Sequence, residues 1–265
     1  VTTIQAILLG ALQGATEFLP VSSSGHLVVS KELFGVSEVP VLFDVLLHVA
    51  TLVAVVIVLR AQVTAFLVAI YRWTRRTVRD EDRTYLRLVP IIVVTTAITG
   101  AIGIGLDSLF DIRNPRFTSG LFLVTALLLV LTGWSRGSRS LGEIGWRDAA
   151  ILGVAQGFGV LPGISRSGIT ISTALYSGVD RKTAGEYSFL LSIPAILGAL
   201  VLTMRDLDEL GTQVSAIPIL AGCVTAAVVG YLALTALLRI VRAGRISLFA
   251  FYLVPLGIWG VLFFR

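Results

Sequence analysis

Charge is what this chain has least of. Asp, Glu, Lys and Arg make up 14% of its 265 residues, against 55% hydrophobic side chains and a mean hydropathy of +0.91. An ordinary soluble domain carries roughly 25% charged residues, so this chain cannot coat a water-exposed globule of its size. That excludes a soluble enzyme, and the apolar content excludes a disordered chain. Cysteine is nearly absent as well. Cys223 alone permits no internal disulfide and excludes a disulfide scaffold. Lysine is confined to Lys31 and Lys182, beside 19 arginines, and histidine to His26 and His48. The first residues lack the basic start of a cleavable signal, so none is expected. Most of the cations fall in short segments between apolar runs. That is the pattern of membrane topology rather than of a nucleic-acid surface, and no nucleic-acid partner is expected.

What is present is long hydrophobic runs. A spanning helix needs about 20 mostly apolar residues. Six stretches qualify: 41–59, 86–106, 117–134, 183–204, 215–238 and 246–264. Two further apolar regions, 2–35 and 149–178, are interrupted by Pro, Gly and Ser and cannot be simple spans. Residues 61–71 are too short to cross and are expected to form a helix extension or an interfacial helix. With the 60–85 loop in the cytoplasm, inside segments collect 14 cations. These are Arg60, Arg72, Arg75, Arg76, Arg79, Arg83, Arg136, Arg139, Arg147, Arg181, Lys182, Arg239, Arg242 and Arg245. Outside segments collect five, Lys31, Arg113, Arg116, Arg205 and Arg265, and an acidic group, Asp206, Asp208 and Glu209. The split supports this threading by the positive-inside rule. The expected fold is therefore all-α: one polytopic integral membrane domain with six full transmembrane helices and two re-entrant helix-loop-helix segments.

The two broken regions align at a constant offset of 143. Leu9, Gly10, Gln13, Gly14, Ser22, Ser24 and Gly25 match Leu152, Gly153, Gln156, Gly157, Ser165, Ser167 and Gly168, seven identities in 17 positions without a gap. Each half, residues 1–135 and 146–265, is one broken region followed by three spans. Three is odd, so the second half enters the bilayer upside down. This is the inverted-topology plan in which interrupted segments meet near the midplane. Irregular backbone at membrane depth is tolerated only where protein or a wet cavity surrounds it. Both broken regions are thus expected to line one polar cavity.

The first broken region carries Glu17, Ser22, Ser23, Ser24 and His26, and the second Ser165, Arg166 and Ser167. An ionisable side chain inside a bilayer is costly and marks a functional site by default. Arginine offers a planar fork of donors to phosphate oxygens. Ser- and Gly-rich turns before a half-helix expose N–H groups at a positive dipole end. Glu17 can hold a divalent cation together with substrate phosphates. His26 and a neighbouring serine have the chemistry of a base and nucleophile pair. Gln13 lies one helical turn before Glu17, on the same face. Together these suit a phosphorylated substrate. Blander readings fit other residues. His48, on an apolar span near Asp44, reads as a structural hydrogen-bonder. Glu186 and Tyr187 read either as facing the cavity or as a solvated helix start after Asp180, Arg181 and Lys182, and Asp80, Glu81 and Asp82 as a solvated loop. The arginines of 72–83 read as a topology and anionic-lipid feature, and Trp73, Trp134 and Trp146 as interfacial anchors.

At FLPVSSSGH following Glu17, and at PGISRSG over 162–168, the sequence resembles the BacA/UppP family of undecaprenyl-diphosphate phosphatases, linked to bacitracin resistance. The resemblance covers essentially the whole chain. It implies a membrane phosphatase that converts a polyprenyl diphosphate to the monophosphate and inorganic phosphate, recycling the lipid carrier for peptidoglycan and other envelope polymers. By motif position it implies Ser23 and His26 as nucleophile or base, Arg166 as phosphate clamp and Glu17 as ligand to Mg²⁺ or Ca²⁺. The family's first motif has Glu or Gln, three residues, then Glu. This chain has the Gln form, Gln13 and Glu17, which leaves Glu17 the main acidic ligand. Gln13, Ser22, Ser24, Gly25, Ser165, Ser167 and Gly168 are the expected substrate-binding residues. His26 as base with Ser23 as nucleophile is the favoured assignment, with attack by His26 or by an activated water as alternatives. The expected setting is the cell membrane, with the site opening to the outer face. The expected partners are the lipid substrate and membrane lipids, with a homodimer allowed. The competing reading is a transporter or flippase of a lipid phosphate or anion, with His26 and Glu17 as coupling groups.

Overall fold

The computed structural model describes residues 1–34, 41–109, 114–133, 135, 137–203 and 215–264. Arg113, Trp134, Arg136, Arg205, Arg265 and the acidic group Asp206, Asp208 and Glu209 lie outside the described residues. The described elements are helical: α1 (Thr3–Phe18), α2 (Ser23–Phe34), α3 (Val41–Val58), α4 (Arg60–Thr74), α5 (Asp82–Leu109), α6 (Pro115–Thr132), α7 (Trp146–Phe158), α8 (Arg166–Tyr176), α9 (Arg181–Thr203), α10 (Ala216–Arg242) and α11 (Ala250–Phe263), with 3₁₀ turns at Leu141–Glu143 and Ile246–Phe249. The chain is an all-α polytopic membrane protein. Among the described residues five helices are long and apolar enough to cross a membrane: α5, α6, α9, α10 and the segment Ile246–Phe263. The described part of α3 joins them only together with α4, from which it is bent by 87°. The bend separates the two alternatives for 61–71. That segment turns away across the end of α3 and leaves Leu67, Tyr71 and Trp73 exposed beside Arg72, Arg75 and Arg76, the pattern of an interfacial helix.

Both broken regions are pairs of helices joined by a short break, and local chemistry sets the breaks. Helix α1 begins in a capping box between Thr2 and Gln5. It ends at Phe18 because Leu19, which precedes Pro20, is extended (ψ 142°). Ser22 then caps α2, accepting from Gly25 N–H at 3.3 Å. In the second region Ser165 caps α8 in the same way, accepting from Gly168 N–H at 3.1 Å. The matching Ser and Gly identities are thus paired N-caps.

The matching glycines earlier in each region are packing positions. Helix α1 lies along α10, and α7 along α5. A Cβ on Gly10 would collide with the Gly222 carbonyl, and one on Gly14 would sit 2.6 Å from the Ala226 carbonyl oxygen. On α7 a Cβ at Gly153 or Gly157 would press into Ile98 or Ile102 of α5. Small residues one turn apart let membrane helices approach this closely. Helix α6 packs on α11, and α3 on both α9 and α10.

Three surface readings change with the fold. Asp82 is buried, accepts from the Arg79 N–H at 2.8 Å and pairs with Arg72 at 3.0 Å, so it closes the turn before α5 instead of facing solvent. Tyr187 is 1% exposed and belongs to the core. Glu186 ties Gln62 of α4 to Arg242 of α10 at 2.7 and 2.9 Å. Long-range packing, which local polarity does not report, draws each of them inward.

Candidate active site

The breaks 19–22 and 159–165 meet. Gly163 N–H donates to Ser22 Oγ at 2.9 Å. Gly163 sits at φ +100° with the Thr118 carbonyl where a Cβ would go, so glycine is required there. Ser22 itself has φ +69°, a left-handed conformation unusual for serine. Strain of this kind gathers at functional turns, and here it orients the first turn of α2.

Between the two breaks lies a cavity of about 650 Å³ whose wall includes Glu17, Ser22, Ser23, Ser24, Ser165 and Arg166. Helices α2 and α8 both begin at this wall, so two positive dipole ends converge on it. Glu17 is at its centre, buried at the last turn of α1. Its Oε2 accepts from Ser23 Oγ at 2.7 Å and from Gln13 Nε2 at 2.8 Å. Its Oε1 accepts from the Arg166 guanidinium, 149 residues away. A buried carboxylate must be paired and hydrogen-bonded, and here a cation, an amide and a hydroxyl meet that need. The cavity's opposite wall is apolar. Ile104, Val160 and Leu202 line it and are exposed.

Of the expected site residues, the structure brings Glu17, Ser23, Arg166 and Gln13 into one hydrogen-bonded cluster, with Ser22, Ser24 and Ser165 on the same wall. Gly25, Ser167 and Gly168 stand behind that wall. Gly25 packs against Gly163 and Phe122, Ser167 Oγ meets Ser165 Oγ at 3.2 Å, and Gly168 is bound by its cap. His26 is elsewhere. Its ring stacks on Tyr252, is tilted against Phe122, and is not part of the cavity wall. Nδ1 donates to the Ser22 carbonyl and Nε2 accepts from the Tyr252 hydroxyl, both at 2.8 Å, so neither nitrogen is free. The other histidine takes the place at the cavity. His48 lines it, with Nε2 3.4 Å from Glu17 Oε2. Gln156 also lines it, bonded to Thr99 Oγ1 at 3.0 Å. Position in the repeat signalled Gln156 in advance. The signal for His48 is an ionisable side chain on an apolar span, which by itself reads as a structural hydrogen-bonder.

The residues that carry this cluster sit inside a match to the family model described as bacitracin resistance protein BacA, which covers residues 6–259. The chain belongs to the BacA family. An undecaprenyl-diphosphatase of Treponema denticola is 45% identical over 254 residues, covering 96% of this chain and 94% of the relative. Another, of Desulfosudis oleivorans, is 44% identical over 265 residues, 96% of each chain. A third BacA relative with the same name, from Carboxydothermus hydrogenoformans, is 39% identical over 265 residues, covering 97% and 95%.

Proposed function

We propose that this chain is an undecaprenyl-diphosphatase whose chemistry is carried by Ser23, Glu17 and Arg166. The observation that carries the reading is the contact of Ser23 Oγ with Glu17 Oε2 at 2.7 Å while Arg166 holds the other oxygen of the same carboxylate. A hydroxyl that already donates to a carboxylate has its base in place. Ser23 Oγ attacks the terminal phosphorus and its proton passes to Glu17. The bond to the bridging oxygen breaks and the prenyl monophosphate leaves. The departing monophosphate takes that proton from Glu17. Water then releases inorganic phosphate from Ser23, passing its proton to Glu17, which returns it to Ser23 Oγ as the phosphorus–oxygen bond breaks. Arg166 and the N-termini of α2 and α8 neutralise charge on the transferred group, the main source of acceleration in phosphoryl transfer. The prenyl tail lies along the apolar wall of Ile104, Val160 and Leu202 and so reaches the lipid. His26 supports the turn beneath Ser23 and takes no proton.

The donor set fits a hard divalent cation, Mg²⁺ or Ca²⁺. Glu17 supplies a carboxylate. Gln13 Oε1 is buried without a hydrogen-bond partner, on the residue whose amide nitrogen already touches Glu17. Such an ion would bind through these oxygens and the diphosphate and offset the phosphate charge.

The paired caps and glycine contacts support reading residues 1–135 and 146–265 as an inverted repeat with two re-entrant segments. In the threading given by the cations, the site opens toward the outer face of the cell membrane. There it returns the monophosphate carrier to envelope synthesis and counters bacitracin. The test is phosphate release from farnesyl and longer prenyl diphosphates by purified protein in detergent, with chelation and add-back of metal. Detergent has no two sides, so release there is hydrolysis and not transport. Glu17→Ala and Arg166→Ala proteins that elute as folded species lose this release. Full activity in both would overturn the assignment.

A further inference from the structure

The two histidines make the same first contact and differ in the second. His48 Nδ1 lies 2.8 Å from the carbonyl oxygen of Asp44, one turn earlier, as His26 Nδ1 lies 2.8 Å from that of Ser22. A carbonyl oxygen only accepts, so each ring carries a proton on Nδ1, and in its neutral form presents a lone pair at Nε2. In His26 the Tyr252 hydroxyl donates to that lone pair. In His48 the lone pair faces Glu17 Oε2 at 3.4 Å, at the cavity wall. With a neutral ring these are two electron-rich atoms facing each other, and a positive species, either a proton on Nε2 or a metal ion, can join them. Arg166 does not supply it, because it binds the other oxygen of Glu17. Nor does Lys31, which is paired with the side chain of Asp44. The spacing suits a metal ion. Two ligands each about 2.1 Å from one ion, at a tetrahedral angle, stand about 3.4 Å apart.

We propose that His48 Nε2 and Glu17 Oε2 are two donors of one divalent-cation site, and that the imidazole makes the site prefer a transition-series ion such as Mn²⁺ or Co²⁺ over Mg²⁺ and Ca²⁺. The proposal rests on the hydrolase reading for its purpose and goes beyond it in the ligand and the ion. Imidazole nitrogen binds first-row transition ions far better than it binds the alkaline-earth ions, which take oxygen. Among the described residues no third His, Cys, Asp or Glu joins the pair. The remaining positions fall to hydroxyl, amide and diphosphate oxygens, and they leave the site open to substrate.

The test uses the full chain in detergent, without a polyhistidine tag, loaded with Mn²⁺ alone and then with Mn²⁺ and inorganic diphosphate. Pulsed electron-spin resonance reads directly bound imidazole nitrogen. With only two histidines in the sequence, the coupled ring is His26 or His48. The expected result is one coupled imidazole in the wild type, retained in His26→Gln and lost in His48→Gln. Co²⁺ affinity falls at least about tenfold in His48→Gln, while Mg²⁺ affinity changes little. Wild-type protein that binds Mn²⁺ with no nitrogen coupling overturns the proposal, as does a coupling that survives in His48→Gln or an absence of saturable Mn²⁺ binding. A wild-type spectrum without nitrogen coupling overturns the proposal even if a variant misfolds. Phosphate release is measured on the same preparation. Its presence without imidazole-bound Mn²⁺ sinks the cation proposal alone, and its absence under every metal sinks the hydrolase reading.

Discussion

Gln13 and Gln156 stand at corresponding places ahead of the two breaks, yet one bonds Glu17 and the other bonds Thr99. The same division runs through both segments. The glycines that let α1 and α7 approach their neighbours match, and so do the serines that cap α2 and α8. The residues that carry chemistry do not match. Val160 stands at the offset of Glu17, Arg166 at that of Ser23, and Ile169 at that of His26. Two matching helix pairs thus share one hydrogen-bonded cluster, with the carboxylate and hydroxyl on the first and the guanidinium on the second. Helix breaks leave N–H groups that need the same capping in both pairs. A reacting group is needed only once.

The comparison can be broken hardest at the reacting groups. Ser23→Ala is expected to lower prenyl-diphosphate hydrolysis by about 10³-fold or more, as loss of a nucleophile does. Arg166→Lys is expected to cost about 10²-fold, because an ammonium lacks the planar fork. Steady-state phosphate release measures both. Moving the carboxylate across the repeat, Glu17→Val with Val160→Glu, leaves activity as low as Glu17→Val alone, since no serine follows at the right position. Recovery in the double variant would show that the halves are interchangeable. The scaffold gives smaller effects. Gly10→Ala meets a backbone carbonyl and is expected to cost about 2 kcal/mol, against about 1 kcal/mol for Gly153→Ala, which meets the side chain and helix of Ile98. Thermal unfolding in detergent ranks them. The smallest effect belongs to Tyr252→Phe, which frees His26 Nε2. It is expected to change hydrolysis less than about threefold and to leave the pH profile in place. A shifted profile would give His26 a part in proton transfer.

Much of this was legible in the sequence. The spans from 86–106 onward reappear as α5, α6, α9, α10 and the segment ending in α11, because sustained apolarity is a local property that a bilayer reads directly. The breaks were legible from Pro20, Pro162 and the serine caps. Other assignments depended on neighbours distant in the chain. Asp82, Glu186 and Tyr187 looked like solvent-facing groups until Arg72, Gln62 and the core claimed them. The histidines behaved likewise. His26 sits inside the motif but turns to Tyr252, 226 residues on, while His48 sits in a plain apolar helix and faces Glu17.

Composition and loop charge were enough to make this chain a membrane protein, and the motifs with their family resemblance were enough to nominate Glu17, Ser23, His26 and Arg166. These are properties of short stretches of chain. Only the tertiary structure decided which histidine meets the carboxylate and that Glu17 and Arg166 share a contact across 149 residues. The physical reason is that a helix fixes the angle between its own side chains and nothing more. Which of those side chains meet depends on how α1, α3 and α8 pack, and that packing is set by glycines and carbonyls far from the site.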